Sequence, residues 1–236
     1  MRAPVALCFD LDNTLWNIEP VIEQAERGLH QWLATEYPRI TERYSIDDMR
    51  ARRLAVAVRR PDLAHDFTSL RKLALGEHAS EAGYPPAMVE HAFEEFYRLR
   101  NQVEPYEDVL PALDRLRVRY RLLTLTNGNA DLARIGLAHY FELQVSARAA
   151  GCAKPDARIF SVLLASAALA AEDLVYVGDE PIADIHGARS AGIDAVWINR
   201  RGAEWPAELA PPLHTVCTLH ELADWLDAGG PAQARP

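Results

Sequence analysis

The sequence predicts an α/β fold, a doubly wound parallel sheet with a block of helices inserted into it. Short apolar runs stop abruptly at carboxylate, amide or glycine residues, as buried parallel strands do at their carboxyl edge. Helical stretches alternate with those runs, the rhythm of a parallel sheet with crossover helices. The stretch from about Trp16 to Gln102 breaks this rhythm and reads as helices alone.

Val5-Ala-Leu-Cys-Phe-Asp10 is the first such run. In the inserted block, Ile18, Val21, Ile22, Ala25, Leu29, Trp32 and Leu33 keep the spacing of one helical face. Ser45 followed by Asp48 resembles a capping box opening a second helix toward Arg60. A third helix is expected from Asp62 to about Ala82 and a fourth from Pro86 to Arg100. The proline of Val103-Glu-Pro-Tyr-Glu-Asp108 marks the return to alternating structure. A helix from Asp108 to Val118 then precedes the second strand, Arg121–Thr126, which stops at Asn127-Gly128. An apolar helix over Ala157–Leu169 precedes the strand Leu174–Val177, which stops at Gly178-Asp179-Glu180. A helix over Ile182–Ala191, closed by Gly192, leads to a last strand at Ala195–Ile198. The expected domains are an α/β core over 1–15 and 103–227, a helical insertion over 16–102, and a disordered tail over 228–236.

A chain of 236 residues, 49% hydrophobic, can bury one good core and a smaller satellite. Its formal net charge of −9 argues against nucleic acid or an anionic membrane surface, both of which need dense positive charge. A small-molecule partner fits better. No apolar run approaches the ~20 residues that span a bilayer, and the opening apolar stretch is too short for a signal peptide. Cys8, Cys152 and Cys217 are far apart and form no CxxC pair, so neither a disulfide framework nor a thiolate metal site is expected. The cytoplasm is the expected compartment.

Active sites of open parallel sheets lie outside the carboxyl ends of the strands, so the polar residues there are candidates together. They are Asp10 and Asp12 after the first strand, Thr126 and Asn127 after the second, and Asp179, Glu180 and Asp184 after the third, with Lys154 in a loop before a helix. Asp10 and Asp12 project to one side of an extended backbone. Two carboxylates at ~4 Å and an effective dielectric near ~20 repel by about 4 kcal/mol, and a phosphate dianion adds charge of the same sign. Lys154 is the only nearby fixed cation, so a divalent ion held by Asp10 and Asp179 is the economical counter-charge, and hard oxygen ligands suit magnesium. Trp16 and Asn17 follow directly, at the passage into the helical block, and are candidates for lining a substrate pocket.

Asp10-Leu-Asp-Asn-Thr14, Thr126-Asn-Gly128, Lys154-Pro-Asp156 and Gly178-Asp-Glu180 with Asp184 resemble, in order and spacing, the four motifs of the haloacid dehalogenase-like hydrolases. The resemblance covers residues 5 to about 200, and the helices between the first two motifs look like that superfamily's helical cap. It implies that Asp10 is a nucleophile forming an aspartyl-phosphate. It further implies that Asp12 is the acid and then the base, and that Thr126, the Asn127 backbone and Lys154 hold the phosphoryl oxygens. Magnesium would be held by Asp10, the Asp12 main-chain carbonyl and Asp179, with Glu180 or Asp184 acting through water. Ala183 stands where many relatives carry a polar residue, a departure that touches only the outer metal shell. Dehalogenases of this superfamily typically lack a carboxylate two residues after the nucleophile, because a halide leaves without an acid, so Asp12 favours a phosphatase.

Phe9–Leu15, Pro20-Val-Ile22, Leu125–Ala130 and Val177–Glu180 further resemble bacterial flavin mononucleotide phosphatases that also act on the ribitylaminouracil phosphate of riboflavin synthesis. Nucleotides, sugar phosphates and phosphoglycolate are the alternative substrates. A haloacid dehalogenase and a non-catalytic phosphate-binding protein are the alternatives of another class. Elsewhere the plain readings are preferred: His186 as a helix-surface or packing residue, Cys8 as a small hydrophobe, and Trp32, Phe93, Phe96 and Tyr97 as cap core. Arg50, Arg52, Arg53, Arg59 and Arg60 read as a solvated cap face.

Overall fold

The structure is a computed structural model and describes residues 4–232. β1 (Ala6–Phe9) is apolar and buried at every position. Helices α1 (Ile18–Glu36), α2 (Pro38–Thr41), α3 (Ile46–Arg59), α4 (Phe67–Glu81) and α5 (Met88–Arg100) follow. Next come α6 (Val109–Leu116), β2 (Arg121–Thr126), α7 (Leu132–Ile135), β3 (Leu143–Ser146), α8 (Ala147–Ala150) and α9 (Ala157–Ala167). β4 (Leu174–Gly178) leads through a π-helical stretch, Pro181–His186, into α10 (Gly187–Ser190), and β5 (Asp194–Ile198), β6 (His214–Val216) and α11 (Leu219–Asp227) complete the order.

The six strands form one sheet in the order β3-β2-β1-β4-β5-β6, and every neighbouring pair is parallel. The chain winds outward from β1 through β2 and β3, then returns to place β4 on the other side of β1. The order therefore reverses at β1, the position where open parallel sheets form a crevice at their carboxyl ends. One core layer joins Ala6, Cys8, Leu123, Leu125, Ile159, Phe160, Tyr176 and Ile185. The strands expected from the sequence are all present. β3 and β6 were not expected: Leu-Gln-Val-Ser and His-Thr-Val are short edge strands with one partner each and no sustained apolar run.

Two compact units emerge among the described residues. One takes in those up to Asn17, Glu104–Gly128 and those from Leu132 onward, and the other comprises Ile18–Val103 and Asn129–Asp131. In the helical unit, Ser45 and Asp48 form the capping box. α4 starts at Phe67 rather than Asp62, because a short 3-10 turn over Pro61–Leu63 intervenes and Asp66 caps the helix by accepting from the Ser69 N–H at 2.9 Å. Leu29, Leu33, Ile40, Leu75, Phe93 and Phe96 form that unit's own core, against which Trp32 and Tyr97 pack. At the far end, Gly230–Ala232 form a 3-10 turn, and the last four residues of the expected tail, 233–236, lie outside the described residues.

Candidate active site

The main chain of Asp10 continues the line of β1, donating to the Val177 carbonyl at 2.9 Å, so its carboxylate emerges at the switch point. The chain then turns tightly. Asn13 adopts φ of 65°, a left-handed conformation that asparagine tolerates, and its N–H donates to the Trp16 carbonyl at 2.7 Å. Within this turn the Trp16 indole Nε1 donates to Asp12 Oδ1 at 2.8 Å. Trp16 is completely buried, and its backbone bridges to Asp12 and to Pro105. A candidate for lining a substrate pocket, its side chain is completely enclosed in the structure and holds Asp12. Asn17 is exposed.

Lys154 Nζ is the hub of the site. It lies 2.6 Å from Asp10 Oδ1, 2.6 Å from Asp184 Oδ1, 2.9 Å from the Tyr176 hydroxyl and 3.2 Å from the Leu125 carbonyl. Its loop is fastened to the end of β2 by a reciprocal pair: Asn127 Nδ2 donates to the Lys154 carbonyl at 3.0 Å, and the Lys154 N–H donates to Asn127 Oδ1 at 2.8 Å. Thr126 Oγ1 accepts from the Gly128 N–H at 2.9 Å, shaping the loop after β2. Asp184 is buried in the π-helical stretch, and its Oδ2 accepts from the Glu180 N–H at 2.9 Å. It lies so close to β4 that a Cβ on Gly178 would stand 2.3 Å from the Asp184 Cγ, so only glycine fits. Thr14 Oγ1 donates to Asp179 Oδ1 at 3.3 Å, and the Trp197 indole donates to the Asp179 carbonyl at 2.7 Å.

The sequence-derived candidates Asp10, Lys154, Asp179 and Asp184 thus meet in one place. Glu180 contributes its backbone N–H there, while its side-chain surface is exposed. Tyr176 was missed. A tyrosine in an otherwise aliphatic buried strand carries a hydroxyl that needs a partner, and that was the available signal. Arg200 was missed as well: it donates to the Thr14 carbonyl at 2.8 Å and forms a two-pronged pair with Asp108 at 3.0 Å, tethering the loop that follows Asp10.

Charge is concentrated and unbalanced here. Burial first, and then the Asp184 and Asp179 charges, push the Asp10 carboxyl well above its ordinary range against the opposing pull of Lys154. Burial, Asp184 and Glu180 raise Asp179 to about 7. Burial pulls the Lys154 ammonium down, but Asp10 and Asp184 more than reverse it and keep Lys154 charged. Asp10, Asp179 and Asp184 each offer an oxygen, all within 4.8 Å of one another. Three carboxylates against one ammonium leave a formal charge of −2, which a divalent cation would cancel before an anionic substrate enters. The donors are hard carboxylate oxygens, so the residues fit magnesium.

An open parallel sheet whose order reverses at β1, with carboxylates gathered at that point, is the frame in which the comparison with known proteins falls. The chain matches the haloacid dehalogenase-like hydrolase family over residues 5–192. It belongs to that family, whose phosphatases are among its relatives. The Escherichia coli 5-amino-6-(5-phospho-D-ribitylamino)uracil phosphatase YigB is 28% identical over 216 residues, 88% of this chain and 90% of that one. A phosphoserine phosphatase of Thermus thermophilus is 36% identical over 149 residues, 61% of this chain and 60% of its own. Among solved structures, a 2-haloacid dehalogenase of Pseudomonas syringae superposes with a TM-score of 0.89 at 34% identity, covering 95% of this chain and 99% of its own. No helix among the described residues is long and apolar enough to cross a membrane.

Proposed function

We propose that the protein is a magnesium-dependent phosphomonoesterase in which Asp10 is transiently phosphorylated. The observation that carries this reading is Asp12, two residues after Asp10 and held by the Trp16 indole at 2.8 Å. An alkoxide leaving group needs a proton and a halide does not, so a positioned second carboxylate has work to do only in ester hydrolysis.

The Asp10 carboxylate attacks phosphorus in line, and the bond from phosphorus to the leaving oxygen breaks as Asp12 delivers a proton to that oxygen. Asp12, now a carboxylate, takes a proton from water as the water oxygen attacks phosphorus. Inorganic phosphate departs and Asp10 is regenerated. Lys154 fixes the Asp10 rotamer through Oδ1 and balances charge on the phosphoryl oxygens, with the Thr126 hydroxyl and the Asn127 backbone beside it. Magnesium, held by Asp10, Asp179 and the Asp12 carbonyl, with Asp184 and Glu180 at its periphery, would supply the positive charge that lets a phosphate dianion approach these carboxylates.

As substrate we favour flavin mononucleotide or a ribitylaminouracil phosphate. Support comes from the motif resemblance and from the 28% identity to the Escherichia coli enzyme, which covers 90% of that protein. Dehalogenation of a 2-haloacid is the second reading, favoured by the Pseudomonas syringae likeness. The test measures phosphate release from flavin mononucleotide, nucleotides, sugar phosphates and phosphoglycolate, and halide release from 2-chloropropionate, with magnesium or with EDTA. Phosphate release that needs magnesium and disappears in Asp10→Asn is expected. Halide release without metal would replace the phosphatase reading, and a hundredfold preference for phosphoglycolate would remove the flavin assignment.

A further inference from the structure

The ammonium group of Lys154 has three N–H donors and no acceptor. Four acceptors surround it: Asp10 Oδ1 and Asp184 Oδ1 at 2.6 Å each, the Tyr176 hydroxyl at 2.9 Å and the Leu125 carbonyl at 3.2 Å. No donor is therefore spare for a phosphoryl oxygen. The group that is to hold the phosphate is already committed to the protein, and one of its bonds has to move when a substrate arrives.

Tyr176 supplies what that exchange needs. It is completely buried in β4, its ring edge-on to Phe160 with the centroids 5.4 Å apart. A phenol at neutral pH carries one O–H donor besides its lone pairs. The Tyr176 hydroxyl lies 3.1 Å from the Leu125 carbonyl and 3.1 Å from Asp184 Oδ1, so it reaches two of the acceptors that Lys154 also serves. Lys154 and Tyr176 together have four protons to give. Without substrate, Asp10, Asp184 and the Tyr176 oxygen take those of Lys154, and the Leu125 carbonyl takes that of Tyr176. With substrate, Lys154 transfers one bond from the Tyr176 oxygen to the phosphoryl oxygen, and both carboxylates and the carbonyl keep their donors. Without the hydroxyl the count falls one short, and either the phosphoryl oxygen or the carbonyl of buried Leu125 loses its donor from this pair.

We propose that Tyr176 is a positioning residue for phosphoryl transfer, its hydroxyl holding the Leu125 carbonyl so that Lys154 can turn one N–H to the phosphoryl oxygen. A phenyl ring would fill the same space in β4, so the proposal concerns the hydroxyl and not the packing. It rests on the phosphatase reading, in which Lys154 contacts the phosphoryl group.

The test uses the full chain with magnesium and compares wild type, Tyr176→Phe, Lys154→Met and the double variant. In Tyr176→Phe, kcat/KM for p-nitrophenyl phosphate is expected to fall about tenfold and the dissociation constant of orthovanadate, measured by calorimetry, to rise about tenfold. Its melting temperature without ligand should change by less than about 3 °C, because the three donors of Lys154 then suffice for Asp10, Asp184 and the Leu125 carbonyl. In the Lys154→Met background, Tyr176→Phe is expected to cost less than about twofold in kcat/KM, since no ammonium remains to be released. A further loss there equal to that in wild type would assign Tyr176 to packing and overturn the proposal. Should Tyr176→Phe fail to fold, Tyr176→Met, apolar and adaptable, carries the same comparison. Hydrolysis and vanadate binding alike in wild type and Tyr176→Phe would remove this proposal alone. A wild type that neither hydrolyses the ester nor binds vanadate would remove the phosphatase reading and this proposal with it.

Discussion

Trp16 shows how a single side chain sets the chemistry of its neighbour. Its indole is completely buried, and its N–H reaches Asp12 Oδ1 at 2.8 Å inside a turn that Asn13 closes. A hydrogen bond to a charged group is worth about 1.5–3 kcal/mol, or about ten- to a hundredfold in rate if it is needed to orient the acid. Trp16→Phe keeps the ring and removes the donor. It is expected to lower kcat/KM, which reports the phosphorylation of Asp10, by that factor for alkyl phosphates while leaving kcat/KM for p-nitrophenyl phosphate nearly unchanged, because nitrophenolate leaves without a proton. Equal losses of kcat/KM on both substrates would mean that Trp16 does not serve through proton delivery to the leaving group. Asp10, Thr126, Asn127 and Asp179 were legible because each stands at the end of an apolar run, where polarity has few structural uses, and Lys154, in a loop before a helix, as the fixed cation that the carboxylates call for. The hydrogen bond from Trp16 to Asp12 was not legible, because position after the loop says nothing about which way a ring turns, and Tyr176 was hidden among the aliphatic residues of β4.

At the scale of elements, α1, α3 and α4 are joined through Glu26 and its arginines as well as by packing. Burial alone would raise the Glu26 carboxyl, but Arg53, with Arg50 and Arg71, overrides it and holds the pKa below the ordinary value. A carboxylate with a depressed folded pKa stabilises fully above the unfolded value, about 4.3, and the stabilisation is lost as pH falls through the folded pKa. Thermal unfolding of the helical unit is therefore expected to move to lower temperature below about pH 4.3, and Glu26→Gln should flatten that acid limb while lowering stability at pH 7. An unchanged acid limb in Glu26→Gln would show that Glu26 is not its source. The sequence made the helices readable through their periodicity and the Ser45–Asp48 box. It could not show that part of the arginine run turns inward, because helical spacing places charges on a face without revealing the buried acid from another helix. β3 and β6 escaped for a related reason: an edge strand buries too little to need an apolar run.

For the molecule as a whole, the reversal of strand order at β1 turns separated motifs into one site. β1 and β4 are paired from Ala6 with Leu174 to Phe9 with Val177, so the residues just beyond them, Asp10 and the Gly178-Asp179 corner, emerge side by side. β2 on the other flank delivers Thr126 and Asn127, and Asn127 fastens the Lys154 loop to it. This convergence was inferable from the strand-end rule, since a parallel sheet leaves its loops only two edges. The charge surplus at the site and around Glu26 was not, because it depends on which buried groups share a partner. The central claim is that Asp10 carries the phosphoryl group during turnover. The most direct measurement is an acid quench of the magnesium-loaded enzyme turning over a radiolabelled phosphate ester, followed by peptide mapping. Label on the peptide containing Asp10, absent in Asp10→Asn, is the predicted result; label on another residue during turnover, or phosphate release undiminished in Asp10→Asn, would contradict it.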